Sequence, residues 1–168
     1  MLRPPEPLSP AHEVSSFSNG RHASLDEWLR ERALASEGLS ARTYVVCAED
    51  SPQRVIGYYA ISAAMIHRVA LPNAKLRRGM PEEVPTLLIG RLAIDRPFQG
   101  SGLGSELLSD AIRRCLAVAD IAGARVIVAH AIDDVAVGFY QRRSFVLSPF
   151  GERVMLLPLE TARKLIQR

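Results

Sequence analysis

Cysteine is nearly absent from this chain of 168 residues, which carries only Cys47 and Cys115. Each sits in an apolar stretch, so the two read as buried free thiols rather than a disulfide or a metal site. The four histidines are scattered and form no metal-ligand spacing. Lysine is as scarce as cysteine: Lys75 and Lys164 stand against a background in which arginine supplies the positive charge. A GC-rich coding sequence explains that bias as well as phosphate recognition by arginine forks does. No apolar run is long enough to span a bilayer, since Val55 to Ile66 is interrupted by Gly57, two tyrosines and Ser62. The first residues lack the hydrophobic centre of a signal peptide. Two nucleotide-binding patterns are missing as well. Gly104 is followed by Ser105 with no lysine, which excludes a P-loop. The glycines run Gly100-x-Gly102-x-Gly104 instead of G-x-G-x-x-G, which excludes a Rossmann turn.

What remains is ordinary for a globular protein, with 48% apolar residues, 23% charged residues and a net charge of +3. The length suits one domain over residues 1–168, with a core of its own. No repeat or low-complexity segment is present. These features predict a soluble, cytoplasmic protein.

One segment departs from the ordinary. An apolar strand ending in Leu92-Ala93-Ile94 meets a glycine-dense turn, Gln99-Gly100-Ser101-Gly102-Leu103-Gly104-Ser105, which opens onto an amphipathic helix. Glycine lets main-chain N–H groups approach a ligand with no Cβ in the way. The first turn of a helix leaves N–H groups unpaired and carries partial positive charge. Together they make a receptor for phosphate or diphosphate. A turn that needs glycine for its geometry alone is the competing reading.

About thirty-five residues on, Val126-Ile127-Val128-Ala129 reads as a buried strand. Asp133 then caps a helix running through Phe139 and Tyr140, and Ser144-Phe145-Val146 opens another strand. Elsewhere, the residues before Ser16 are proline-rich and extended. Ser24-Leu25-Asp26-Glu27 is a capping box heading a helix to about Ser36, with Trp28 as a core anchor. Thr43–Ala48 and Arg54–Ile66 form a hairpin, and Thr86–Ile94 is the central strand. Residues 67 to 83 are a connection in which Pro72, Gly79 and Pro81 argue against a long helix. That connection carries Arg68, Lys75, Arg77 and Arg78, either as a solvated loop or as a path for an anionic partner. Phe145–Leu147 and Arg153–Leu157 close the fold as strands before a short terminal helix over Thr161–Gln167.

Gln99-x-x-Gly102-x-Gly104 resembles the acyl-CoA diphosphate loop of the GNAT superfamily of N-acetyltransferases. Ala136, Phe139, Tyr140 and Phe145 match the second conserved segment of that superfamily, A-x-x-F-Y-x-x-x-G-F. Ser144 replaces the usual glycine, and Asp133 stands where many members have asparagine. Within the superfamily, Ser24–Leu29, Gly57–Ala60, Gly90–Asp95 and Val128–Ala131 look like the TacT-like toxins of toxin–antitoxin modules. The resemblance covers the chain from about Leu8 to Leu157. It implies an α/β fold with a mixed, mostly antiparallel central sheet flanked by helices.

It also implies a set of roles. Acetyl-CoA would be held by Leu92, Ala93, Ile94, the turn from Gln99 to Ser105, Asp133 and Phe139. Tyr140 would protonate the departing thiolate, since a phenol of pKa about 10 stays protonated at neutral pH. A buried core aromatic is the alternative for Tyr140. Phe139 and Tyr140 lie about 100° apart on a helix, so one packs the core while the other faces the cleft. No general base stands out among His130, Asp133 and Glu106. An α-amine titrates near pH 8, lower still beside an ester, and needs little help. The substrate implied is aminoacyl-tRNA, acetylated on its α-amine, with Lys75, Arg77, Arg78 and Arg91 as candidate RNA contacts. Arg91 equally suits a structural role beside Asp95. A homodimer and a ribbon-helix-helix antitoxin are the implied partners, with DNA met only through the antitoxin and no membrane. Two other functions fit the same motifs: acetylation of a small amine or protein N-terminus, and a non-catalytic acetyl-CoA-binding module. The first predicts no salt-sensitive RNA binding and no growth arrest on expression, and retention of both Gln99-x-x-Gly102-x-Gly104 and Tyr140 argues against the second.

Overall fold

In the computed structural model, which describes residues 2–167, the chain begins with β1 (Glu6–Pro7), α1 (Ala23–Glu31), α2 (Ala33–Ser36), β2 (Arg42–Cys47) and β3 (Val55–His67). It continues through α3 (Ala74–Arg77), β4 (Glu83–Ile94), α4 (Leu103–Ala119) and β5 (Val126–His130). The remaining elements are α5 (Asp134–Gln141), β6 (Val146–Leu147), β7 (Val154–Pro158) and α6 (Leu159–Ile166). The strands make one seven-stranded sheet in the order β1-β2-β3-β4-β5-β7-β6. Strands β4 and β5 pair in parallel, with Thr86 opposite Val126 and Ile89 opposite Ala129. The pairs β1/β2, β2/β3, β5/β7 and β6/β7 are antiparallel. The mixed, mostly antiparallel α/β sheet expected from the sequence is therefore observed.

Three local expectations change. The proline-rich N-terminus contributes a strand, because Glu6 and Pro7 pair with Val45 and Tyr44 at the edge of the sheet, where proline costs no ladder bond. The Ser24 capping box does not form. Helix α1 starts at Ala23 behind an N-cap at His22 that has no side-chain cap bond, so Ser24 is already helical. Asn19 is the reason: its Oδ1 accepts the N–H groups of Arg21 (3.0 Å) and His22 (2.8 Å), turning the chain early. The single helix expected to Ser36 is also broken at Arg32, whose φ of −119° separates α1 from α2.

Two compact units share the chain, one of residues up to Ser62 with Arg91–Ala111, the other of Ala63–Gly90 with residues from Ile112 onward. The first unit centres on Leu8, Phe17, Leu29, Val45, Val55 and Tyr58, with Trp28 partly buried against them. At Gly57 a Cβ would stand 2.9 Å from Leu107 Cδ1 of α4 and 3.1 Å from Ile94 Cδ1, so any other residue would push these side chains aside. The second unit centres on Leu71, Leu76, Val84, Val126, Val128 and Leu156. Helix α4 follows its predicted apolar stripe, burying Leu103, Leu107, Leu108 and Ala111 in one unit and Ile112 and Cys115 in the other.

Both cysteines are free and buried. Burial first, then the Glu6 carboxylate, pushes the Cys47 thiol up to about 11, and burial alone pushes Cys115 up to about 12. At pH 8 neither forms appreciable thiolate, the reactive species. A thiol-selective disulfide reagent should therefore leave native protein unlabelled at pH 8 and titrate both thiols after denaturation. Rapid labelling of native protein would contradict the burial described.

Candidate functional site

The last residues of β4 lead directly into the glycine turn, and all of these residues belong to the first unit. Ala93 is buried in that unit's core while Leu92 and Ile94 are half-buried, as alternation along a strand requires. The pairing of β4 with β5 ends at Ile89, short of the strand's own end at Ile94. Asp95 then turns the chain: its N–H bonds the Ile56 carbonyl at 2.8 Å, and its carbonyl accepts the Phe98 N–H at 2.9 Å. The Asp95 carboxylate is buried, with one oxygen accepting the Ser18 N–H and the other the Arg54 guanidinium, both at 2.9 Å. Arg54, not Arg91, is thus the basic partner of Asp95.

Beyond this corner the backbone donors are left unused. The Gln99 N–H goes to Arg96 O, and the Ser105 and Glu106 N–H groups both go to Gly102 O. Among the described residues no acceptor takes the N–H groups of Gly100, Ser101, Gly102, Leu103 and Gly104. The donor run expected over 99–105 therefore narrows to residues 100–104. Gly100 and Gly102 hold φ of +78° and +89°, a region open to glycine at little cost. A Cβ built at either would meet nothing within 4 Å, so the turn is open on that side. Five adjacent N–H groups at the head of a 17-residue helix are the donor set a diphosphate needs. Acetyl-CoA fits this turn.

The Gln99 side chain does different work. Its Nε2 donates to Asn19 O at 2.7 Å and to Ile94 O at 2.9 Å, which uses both amide hydrogens inside the protein. Asn19, Asp26, Arg54 and Asp95 make up a polar framework that sequence reading did not assign to the site. Asp26 and Asp95 carried a signal, since they lie inside the family-like stretches Ser24–Leu29 and Gly90–Asp95.

The second unit holds the other motif. Asp133 caps α5 as expected, its Oδ1 accepting the Ala136 N–H at 2.8 Å. Tyr140 is 5% exposed, its ring packed against Phe139 and Phe145 with centroids 5.2 Å away in each case. Burial pushes its phenol above the ordinary value, so the hydroxyl is protonated at every physiological pH. Among the described residues nothing hydrogen-bonds that hydroxyl. Phe139 is half-buried beneath the Arg143 guanidinium, 4.7 Å from its centroid. His130 is exposed at the end of β5, and Glu106 is exposed in the first turn of α4.

The candidate RNA contacts divide. Lys75 is exposed and reaches Glu160 at 3.6 Å, and the Arg78 side chain pairs with none of the described residues. Arg77 is tied to Leu71 O at 2.8 Å, and Arg68 to Met80 O at 2.9 Å. Arg91 belongs to the first unit and stacks on Trp28, its guanidinium carbon 4.3 Å from the ring. Glu6, His12 and Cys47 place potential ligand atoms within 4.8 Å of one another. The Ser9 N–H donates to His12 Nδ1, so Nε2 carries the proton that bonds Glu6 and has no lone pair for a metal.

Residues 10–145 match the acetyltransferase (GNAT) family. The chain belongs to it. This GNAT acetyltransferase is 43% identical over 163 residues to a tRNA-acetylating toxin of Mycobacterium tuberculosis (strain ATCC 25618 / H37Rv), across 96% of this chain and 95% of that protein. AtaT complexed with acetyl-methionyl-tRNAfMet has a TM-score of 0.89 to it at 25% identity, covering 98% of this chain and 99% of the other. AtaTR bound with AcCoA reaches 0.83 at 25% identity, covering 98% and 97%. The chain is thus an N-acetyltransferase whose acyl donor is acetyl-CoA. No helix among the described residues is long and apolar enough to cross a membrane.

The family's glycine before Phe145 now has a physical explanation. Ser144 holds φ of +69°, directly after the last turn of α5, where a Cβ is strained. Ser144→Gly should raise stability by about 1 kcal/mol, since relief of the left-handed strain outweighs glycine's extra chain entropy. Thermal and denaturant melts check this. A variant less stable than the parent would mean the serine hydroxyl has a role of its own.

Proposed function

We propose that this GNAT enzyme is a toxin that acetylates the α-amino group of the amino acid carried on tRNA and so blocks its use in translation. The 43% identity to a tRNA-acetylating toxin over nearly the whole of both chains carries this reading. Acetyl-CoA supplies the acetyl group as a thioester, already activated towards an amine. Its diphosphate is held by the N–H groups of Gly100 to Gly104, and its pantetheine arm lies along the end of β4, Leu92 to Ile94. In the second unit, Asp133 caps α5 and Phe139 packs beside Tyr140. The family match takes in residues of both units, which supports reading 1–168 as one acetyltransferase domain.

Tyr140 donates its hydroxyl proton to the leaving sulfur as the C–S bond breaks and the C–N bond forms. The amine's surplus proton passes to solvent, and the phenolate regains one there. Burial keeps the Tyr140 phenol protonated, the form a proton donor needs. No side chain is needed to strip the amine, because the α-amine of an aminoacyl ester is partly neutral at pH 7 to 8. Lys75 and Arg78, exposed on the connection between β3 and β4, are the RNA phosphate contacts best placed to act. Arg77 and Arg91 hold structural partners and contribute less. The enzyme works in the cytoplasm as a homodimer, silenced by a ribbon-helix-helix antitoxin that alone carries the pair to DNA.

Expression of the wild type beside Tyr140→Phe, with mass analysis of charged tRNA, tests this directly. The wild type should arrest growth and yield N-acetyl-aminoacyl-tRNA. Tyr140→Phe should lose roughly 10²- to 10⁴-fold in turnover, the usual contribution of a general acid. Vigorous growth with unmodified tRNA would overturn the toxin assignment, while acetyl transfer to a small amine or a protein N-terminus would redirect it.

A further inference from the structure

The Gln99 side chain is the clip that closes the donor turn onto the rest of the first unit. One of its amide hydrogens holds the end of β4 at Ile94 O, and the other holds Asn19 O. An acceptor carbonyl is useful there only if its own position is fixed, and Asn19 is fixed from several sides. Its N–H and its Nδ2 both donate to Asp26 Oδ1, at 3.0 and 2.6 Å. Its Nδ2 also reaches His22 O at 2.6 Å, and its Oδ1 takes the Arg21 and His22 N–H groups. Asn19 and Asp26 are 5% and 6% exposed, so water does not compete for these bonds. The residue before Asn19 adds two rungs to the same strap. Ser18 N–H donates to the Asp95 carboxylate at 2.9 Å, and Ser18 O accepts the Arg96 N–H at 2.8 Å.

We propose that Asn19 and Asp26 are positioning residues for the acetyl donor, acting on its diphosphate site through the side chain of Gln99. Neither residue touches the donor. Asp26 immobilises Asn19, the Asn19 carbonyl orients the Gln99 amide, and Gln99 holds the start of the run of free N–H groups. Loss of any link leaves those donors intact but lets them wander, so the donor's diphosphate must order them on binding. This inference rests on the reading of residues 100–104 as the diphosphate site.

Steady-state kinetics of the full-length enzyme on charged tRNA separates the possibilities. The donors are acetyl-CoA and S-acetylpantetheine, which carries the same thioester without a diphosphate. Asp26→Ala and Gln99→Met should each raise KM for acetyl-CoA by about tenfold with kcat unchanged, a loss on the scale of one hydrogen bond. The kcat/KM of Asp26→Ala with S-acetylpantetheine should match the wild type. The double variant should be no worse than either single one, because both cut the same chain of contacts. Asp26→Asn keeps an oxygen for Asn19 and should restore most of the affinity. Should Asp26→Ala fail to fold, Asn19→Ser takes its place in the same cycle. Equal losses with both donors, a fall in kcat alone, or additive effects in the double variant would overturn the positioning role. A wild type that does not prefer acetyl-CoA over S-acetylpantetheine would instead overturn the diphosphate site itself.

Discussion

Main-chain N–H groups normally find an acceptor, and a folded chain that leaves several neighbouring ones without any pays in stability unless water or a ligand takes them. At Gly100 to Gly104 such groups have no acceptor among the described residues. Two glycines in the left-handed region turn the peptide planes outward, and the Gly102 carbonyl collects the next two N–H groups, of Ser105 and Glu106, for the helix. The positive end of a 17-residue helix stands behind them. In the proposed reading this arrangement holds the diphosphate of acetyl-CoA.

The turn cannot hold its shape by itself, because glycine is the residue least able to resist the loss of it. The surrounding polar framework supplies the stiffness. Asp95 joins Ser18 and Arg54, Gln99 joins Asn19 and Ile94, and Asp26 anchors Asn19. Almost every one of these partners is a backbone group or a buried side chain. The second unit solves a simpler problem. The proposed role of Tyr140 asks for a phenol that remains neutral, and packing of its ring against Phe139 and Phe145 keeps it so.

Features with a local cause were legible in the sequence. The donor turn announced itself because only glycine tolerates its dihedrals, and the Asp133 cap because an acid reaches the N–H three residues on. The long strands and the stripe of α4 followed from periodicity. Features with a distant cause were not legible. The partner of Gln99 lies 80 residues away in sequence, and that of the Ser18 N–H 77 away. The Ser24 capping box had the right letters but lost to Asn19, whose turn starts the helix earlier. Strand β1 was hidden by its own brevity and its proline, which only an edge position permits. Arg91 looked like a phosphate ligand or a partner of Asp95, and instead lies over Trp28.

The most direct measurement follows the amide resonances of ¹⁵N-labelled protein during titration with acetyl-CoA. Free N–H groups that acquire phosphate oxygens should move downfield, so Gly100, Ser101, Gly102, Leu103 and Gly104 should show the largest shifts. Ser105 and Glu106, already bonded to Gly102 O, should move little. Saturation with acetyl-CoA that left the amides of 100–104 in place would contradict the diphosphate assignment on which the rest depends.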